Sequence, residues 1–216
     1  EHYPDVRCEA LREAISRFEQ VNMEEIFCGN GAAELFFAAV QAVWPQKALV
    51  IAPSFSEYEE ALRSVGAEVE YYYLCEEDNF QIREDYVDKL SEEIDMIFLC
   101  NPNNPTGQTI DRDMLIKILD RCKKQNIVVI LDECFLEFLD EPNRYEMSNL
   151  RGEYPNLLII KAFTKIFSMP GLRLGYAISS NQDILEEMSW KLQQWNVSVP
   201  AQMAGVAALE KPKEYI

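Results

Sequence analysis

Short apolar runs alternate along the chain with stretches of helical periodicity. Val6, Ala10, Leu11, Ala14, Ile15 and Phe18 share one helical face and predict a helix over 6–20. Ile26, Phe27 and Cys28 predict a short strand that runs into Gly29-Asn30-Gly31, and an apolar helix follows over 32–44. Further strands are predicted at 48–52, 68–74, 96–100, 127–131, 157–160 and 173–178, the last interrupted by Gly175. Further helices are predicted at 56–65, 83–93, 111–125 with Asp111 as its cap, 183–195 and 200–210. Strand and helix in alternation are the rhythm of a mostly parallel sheet covered on both faces. The fold class is therefore α/β, a three-layer α/β/α arrangement.

Several strands end on polar or conformationally special residues. The run at 96–100 leads into Asn101-Pro102-Asn103-Asn104-Pro105-Thr106-Gly107, which can be neither helix nor strand for long. The run at 127–131 leads to Asp132-Glu133, and the run at 157–160 leads through a polar turn to Lys165. In open α/β sheets the carboxyl ends of the strands are where ligands bind, so Asn104, Asp132 and Lys165 are candidates whatever the family.

Composition narrows the partners. The 216 residues suffice for one sizeable domain, and a net charge of −17 argues against a nucleic-acid partner. No apolar run approaches the ~20 residues of a membrane span. Six cysteines lie without a CxxC pair and read as free core thiols of a reducing cytoplasm, not as disulfides or a metal site. The single histidine, His2, nearly excludes a histidine triad or a histidine-ligated zinc. The chain starts at Glu1 and stops at Ile216, just after a predicted helix, so a fragment of a longer protein is expected.

Lys165 lies among Phe163, Ile166, Phe167 and Met169, which would partly desolvate its amine. Desolvation favours the neutral amine, a nucleophile towards carbonyls. Arg173, eight residues on, suits a phosphate. Taken alone, such residues are more often surface groups with buried stems. Asp132 could cap a helix, or could hold a proton on a cationic heterocycle such as the ring of pyridoxal phosphate. Gly29-Asn30-Gly31-Ala32-Ala33 is either a tight turn or an anion-binding helix N-terminus.

Order and spacing tip the balance. Gly29-Asn30-Gly31-Ala32-Ala33-Glu34, Pro53-Ser54-Phe55-Ser56-Glu57-Tyr58, Asn103-Asn104-Pro105-Thr106-Gly107, Asp132-Glu133, and Lys165 with Gly171-Leu172-Arg173-Leu174-Gly175 resemble the fold-type I, class I/II aminotransferase family. The resemblance runs through the whole chain, from His2-Tyr3-Pro4-Asp5 to the helix near Met203. It implies the large, cofactor-binding domain over 1–216, without the family's N-terminal arm and small C-terminal domain. It also implies pyridoxal 5′-phosphate as cofactor, with Lys165 as the residue that bonds to it and then moves protons at the substrate. By the same resemblance Asp132 pairs with the pyridine nitrogen and Asn104 with the ring oxygen. The resemblance further implies that Phe55 stacks on the ring, with Tyr58 as the nearby alternative, and that the backbone N–H groups of Ala32 and Ala33, with Thr164 and Arg173, hold the phosphate. Tyr3 matches a tyrosine that reaches the phosphate of the other subunit, which implies a homodimer.

Two departures stand out. Ala162 replaces a hydroxyl residue that many members carry, and Phe135 replaces a tyrosine that donates to the ring oxygen. Loss of that donor bears on the chemistry, although Phe135 could simply pack against the cofactor of a transaminase. Tyr3-Pro4-Asp5, the 100–107 segment and the 169–176 segment are similar to the histidinol-phosphate aminotransferase branch. That branch also contains the L-threonine-O-3-phosphate decarboxylase of cobalamin biosynthesis. Phe135, Met169-Pro170 and Gln194-Trp195-Asn196-Val197-Ser198 lean towards the decarboxylase. A small phosphorylated amino acid is the implied substrate in either case. The competing expectation is a non-catalytic domain that binds cofactor or dimerises. A dinucleotide-binding domain would leave Lys165, Asp132 and Asn104 unexplained. Arg144 and Arg151 match no motif and are expected to be solvated.

Overall fold

Every side chain of the strand Met96–Cys100 (β4) is buried, and the pleat divides them between two cores. Met96, Phe98 and Cys100 enter one apolar layer, Ile97 and Leu99 the other. The same alternation recurs in β2 (Lys47–Ala52), β5 (Val128–Asp132) and β6 (Leu157–Ala162), as strands buried on both faces require. The computed structural model describes residues 3–211; His2 lies outside them.

With β1 (Ile26–Gly29), β3 (Glu68–Tyr73) and β7 (Gly175–Ile178) the strands form one seven-stranded sheet, ordered β1-β7-β6-β5-β4-β2-β3. Strands β3, β2, β4, β5 and β6 pair in parallel, while β7 runs antiparallel to both neighbours. Helices α2 (Ala32–Val43), α3 (Glu57–Ser64) and α7 (Gln182–Lys191) cover one face. Helices α1 (Glu9–Glu19), α4 (Asp85–Lys89), α5 (Arg112–Gln125) and α8 (Val199–Glu210) cover the other, and a short turn of helix, α6 (Phe163–Ile166), follows β6. The expected three-layer, mostly parallel architecture is thus present. Among the described residues no helix is long and apolar enough to cross a membrane.

The main differences lie at element ends. The helix expected over 83–93 shrinks to α4, because Ile94 must face the core and Asp95 must accept the N–H groups of Gln46 and Lys47 before β4 begins. The helix expected to Trp195 stops at Lys191, where Leu192 turns extended. β7 starts only at Gly175, because Arg173 adopts a left-handed backbone (φ 55°). Asp111 occupies the N-cap position of α5, but its carboxylate makes no capping hydrogen bond.

A buried charge cluster pins α1 to the sheet. Lys161, in β6, places its Nζ 3.0 Å from Glu19 at the end of α1, 3.3 Å from Glu146, 3.5 Å from Glu137 and 3.8 Å from Glu133. Tyr176 of β7 donates its hydroxyl to Glu19. Burial opposes the charge on Lys161, but the carboxylates outweigh it and hold the amine well above its ordinary range. Glu133 is fully buried; desolvation, with repulsion from its acidic neighbours, pushes its carboxyl up to about 8 despite Lys161. An acid raised in this way stabilises the fold below its unfolded value near 4.5, and that stability is lost as pH rises towards 8. Glu133→Gln is isosteric and cannot ionise. Urea unfolding at pH 6 and pH 8 should show the variant gaining on the wild type by on the order of 1 kcal/mol per pH unit. Parallel stability curves would show that Glu133 is already ionised in the fold.

Candidate active site

The antiparallel β7 brings its beginning beside the ends of β6 and β1. Gly175 pairs with Ala162 on one side and with Gly29 on the other. A Cβ on Gly175 would lie 2.8 Å from the backbone nitrogen of Ala32 and 2.9 Å from the carbonyl carbon of Gly31. Only glycine lets the strand pass this close to the start of α2. Gly31 has φ 88°, and a Cβ there would sit 2.8 Å from Nη2 of Arg173. The guanidinium therefore lies directly against the turn that opens α2. That helix has no side-chain cap at Gly31, so the first N–H groups remain open to an anion.

A cavity of about 130 Å³ opens here, at the carboxyl ends of β4, β5 and β6. Ala32, Ala33, Phe55, Asn104, Asp132, Thr164, Lys165 and Arg173 all line it, joined by Phe36, Cys134, Phe135 and Ala162. Eight of the nine residues singled out from the sequence are thus brought together. Wider clefts of about 480–510 Å³ lie on other faces and contain none of these eight.

Asp132 is the most constrained group in the cavity. It is 5% exposed. Its Oδ1 accepts the backbone N–H of Cys134 at 2.9 Å, and its Oδ2 accepts the hydroxyl of Tyr58 at 2.6 Å. Burial pushes its carboxyl above the ordinary range, while those hydrogen bonds and the charge of Lys165 oppose the shift. Sequence reasoning treated Tyr58 as an alternative ring-stacking group. Instead its ring is wholly buried against Phe98, and its hydroxyl serves Asp132. No local motif marks that bond, which spans 74 positions. Cys134 and Phe36, also missed, are contributed by the strand end and by α2.

Two expectations need correction, those for Lys165 and Arg151. Lys165 is exposed, because Phe163 and Phe167 turn into the core behind it; the apolar neighbours in sequence do not bury it in the single chain. Its Nζ instead sits 5.5 Å from the centre of the Phe135 ring. Tyr3 lies outside the cavity, 79% exposed, with its ring 4.9 Å from that of Trp195. Arg151 is not solvated, since it grips Glu25 through Nε and Nη2 at 2.9 and 2.7 Å. Arg144 is exposed as expected.

The donor set suits a small molecule with an anion at one end and a cationic nitrogen at the other. The uncapped α2 N-terminus, Thr164 and Arg173 form the anion end. Asp132, buried and carrying a carboxylate, forms the opposite end. Phe55 and Phe135 provide flat apolar surface, and Lys165 brings an amine. Ala162 lines the cavity without a polar atom. This inventory fits pyridoxal 5′-phosphate.

Comparisons with known proteins agree. The family model for aminotransferase class I and II matches residues 1–216. The chain is 36% identical over 210 residues to the threonine-phosphate decarboxylase of Salmonella typhimurium, covering 97% of this chain and 57% of that protein. It is 37% identical over 220 residues to a histidinol-phosphate aminotransferase of Desulfitobacterium hafniense, covering 99% of this chain and 59% of that protein. The crystal structure of the histidinol-phosphate aminotransferase from Clostridium acetobutylicum matches with a TM-score of 0.90 at 33% identity, over 98% of this chain and 62% of that one. The chain therefore spans less than two thirds of the length of these relatives. Enzymes of this kind depend on pyridoxal 5′-phosphate. This chain belongs to the class I and II aminotransferase family.

Proposed function

We propose that residues 1–216 form the cofactor-binding large domain of a pyridoxal-phosphate enzyme that acts on a small phosphorylated amino acid, of the kind represented by histidinol phosphate and threonine phosphate. The observation that carries this reading is the convergence of an anion site, a buried carboxylate and an amine on one cavity. Asp132 would hold a proton on the ring nitrogen. Asn104 would donate to the ring oxygen, and Phe55 would lie against the ring face. The Ala32 and Ala33 N–H groups, Thr164 and Arg173 would bind the phosphate. Lys165 would hold the cofactor through its amine, the aldehyde oxygen leaving as water, and would carry protons at the substrate's α-carbon. When bound, the cofactor supplies the electron sink that lets a bond at that carbon break.

Phe135 presents hydrocarbon to the cavity where many relatives are expected to present a hydroxyl, and this supports the decarboxylase side of the branch. The exposed Tyr3, remote from its own cavity, supports a homodimer in which it reaches the partner's phosphate site. Six free cysteines support a reducing, cytoplasmic setting.

Lys165→Ala should abolish the shift in absorbance that pyridoxal phosphate undergoes on bonding to the wild-type protein; a shift unchanged from the wild type would remove Lys165 from its role. Asp132→Asn should weaken cofactor binding at least tenfold, because a charged pair becomes a neutral one. Full-length protein given L-threonine-O-3-phosphate should release CO₂ without forming a keto acid. Amino exchange between glutamate and an imidazole phosphate substrate would place it on the transaminase side. The full-length protein should sediment as a dimer, and Tyr3→Phe should weaken cofactor binding by roughly fivefold to tenfold, one hydrogen bond's worth. A monomer with unaltered affinity would contradict the shared site.

A further inference from the structure

We propose that Tyr58 is a positioning residue that couples the two groups set to grip the cofactor ring, fixing Asp132 through its hydroxyl and Phe55 through its ring edge. The inference rests on the pyridoxal-phosphate reading above. Tyr58 lies on α3 and is fully buried. Its ring stacks on Phe98 with centroids 4.9 Å apart and planes at 18°. Phe36 meets it edge-on at 5.1 Å, and Phe55 does so at 5.7 Å and 84°. Three aromatic contacts thus leave the phenol one orientation, in which the hydroxyl ends 2.6 Å from Asp132 Oδ2. Phenylalanine would pack as well, so the hydroxyl is present for its hydrogen bond, and a buried hydroxyl requires one.

The groups facing Asp132 define what that bond does. Cys100 approaches from the end of β4, Cys134 from the residues after β5, Lys165 from α6 and Tyr58 from α3. Burial pushes both thiols upward, so they bring no charge. Tyr58 is itself held well above its ordinary range by burial and stays a donor. The backbone N–H of Cys134 fixes Oδ1, and Tyr58 fixes Oδ2. With both oxygens tethered, the carboxylate cannot rotate, and its remaining lone pairs are held in place for a ring nitrogen. Phe55 cannot shift without disturbing the same tyrosine. Ring-face and ring-nitrogen contacts are therefore set by one side chain.

The test uses full-length protein loaded with pyridoxal phosphate and compares wild type with Tyr58→Phe. Cofactor dissociation constants are measured from pH 5.5 to 9, together with kcat and KM. Without the hydroxyl, Asp132 loses a bond to its ionised form and takes up its proton at higher pH. Tyr58→Phe should bind the cofactor about tenfold more weakly at neutral pH. On acidification its affinity should fail about one pH unit above the wild type. In an Asp132→Asn background the same change should have a much smaller effect, since no carboxylate remains to be kept ionised. Tyr58→Leu, which also frees Phe55, should bind more weakly than Tyr58→Phe. Equal affinity and equal pH dependence in wild type and Tyr58→Phe would overturn the proposal, as would an undiminished loss in the Asp132→Asn background. A wild type that binds no cofactor would instead overturn the underlying reading, and this inference with it.

Discussion

At Gly175 the first residue of the reversed strand passes so close to the start of α2 that an added Cβ would lie 2.8 Å from the backbone nitrogen of Ala32. Much of the site depends on it. Because β7 runs against its neighbours, its beginning lies at the edge where β6 and β1 end. Arg173, two residues earlier, is thereby delivered onto the uncapped helix N-terminus. A parallel strand in that place would put its start at the opposite edge, and the anion end of the cavity would lose its guanidinium. Glycine at 175 and at 31 is the condition for both contacts.

The pleat of the strands organises charge as well as hydrophobicity. At the end of β5, Asp132 faces the cavity while Glu133 joins the cluster around Lys161. At the end of β6 the assignment is mirrored, with Lys161 in the cluster and Ala162 in the cavity. Adjacent residues thus serve opposite faces of the sheet. One face holds a buried carboxylate ready for a cationic ligand. The other neutralises a buried lysine internally, mainly through Glu19. Breaking such a pair costs more than the pair gains, because it strands a charge in the interior. The Lys161 cluster therefore acts as a rigid backing that locks α1, β6 and β7 behind the site.

Much of this was legible in the sequence. Apolar runs fixed the strands, since burial on both faces leaves continuous hydrophobic segments, and ordered motifs gathered eight residues that share one cavity. What escaped were interactions joining distant segments by side chain alone. Tyr58 reaches Asp132 across 74 positions, and Lys161 reaches Glu19 across 142. Lys161 looked like one more charged residue, although its place at the end of an otherwise apolar strand was the available signal. Lys165 misled in the other direction. Its neighbours are apolar, but helical geometry turns Phe163 and Phe167 away from it, so adjacency in sequence did not mean shared burial.

The central claim is that Lys165 is the residue joined to the cofactor. The most direct measurement is borohydride reduction of the cofactor-loaded, full-length protein, followed by proteolysis and mass spectrometry of the peptides. A pyridoxyl group on Lys165 alone is the result predicted. A label on Lys161 or another lysine, or no label on a protein that holds the cofactor, would contradict the account.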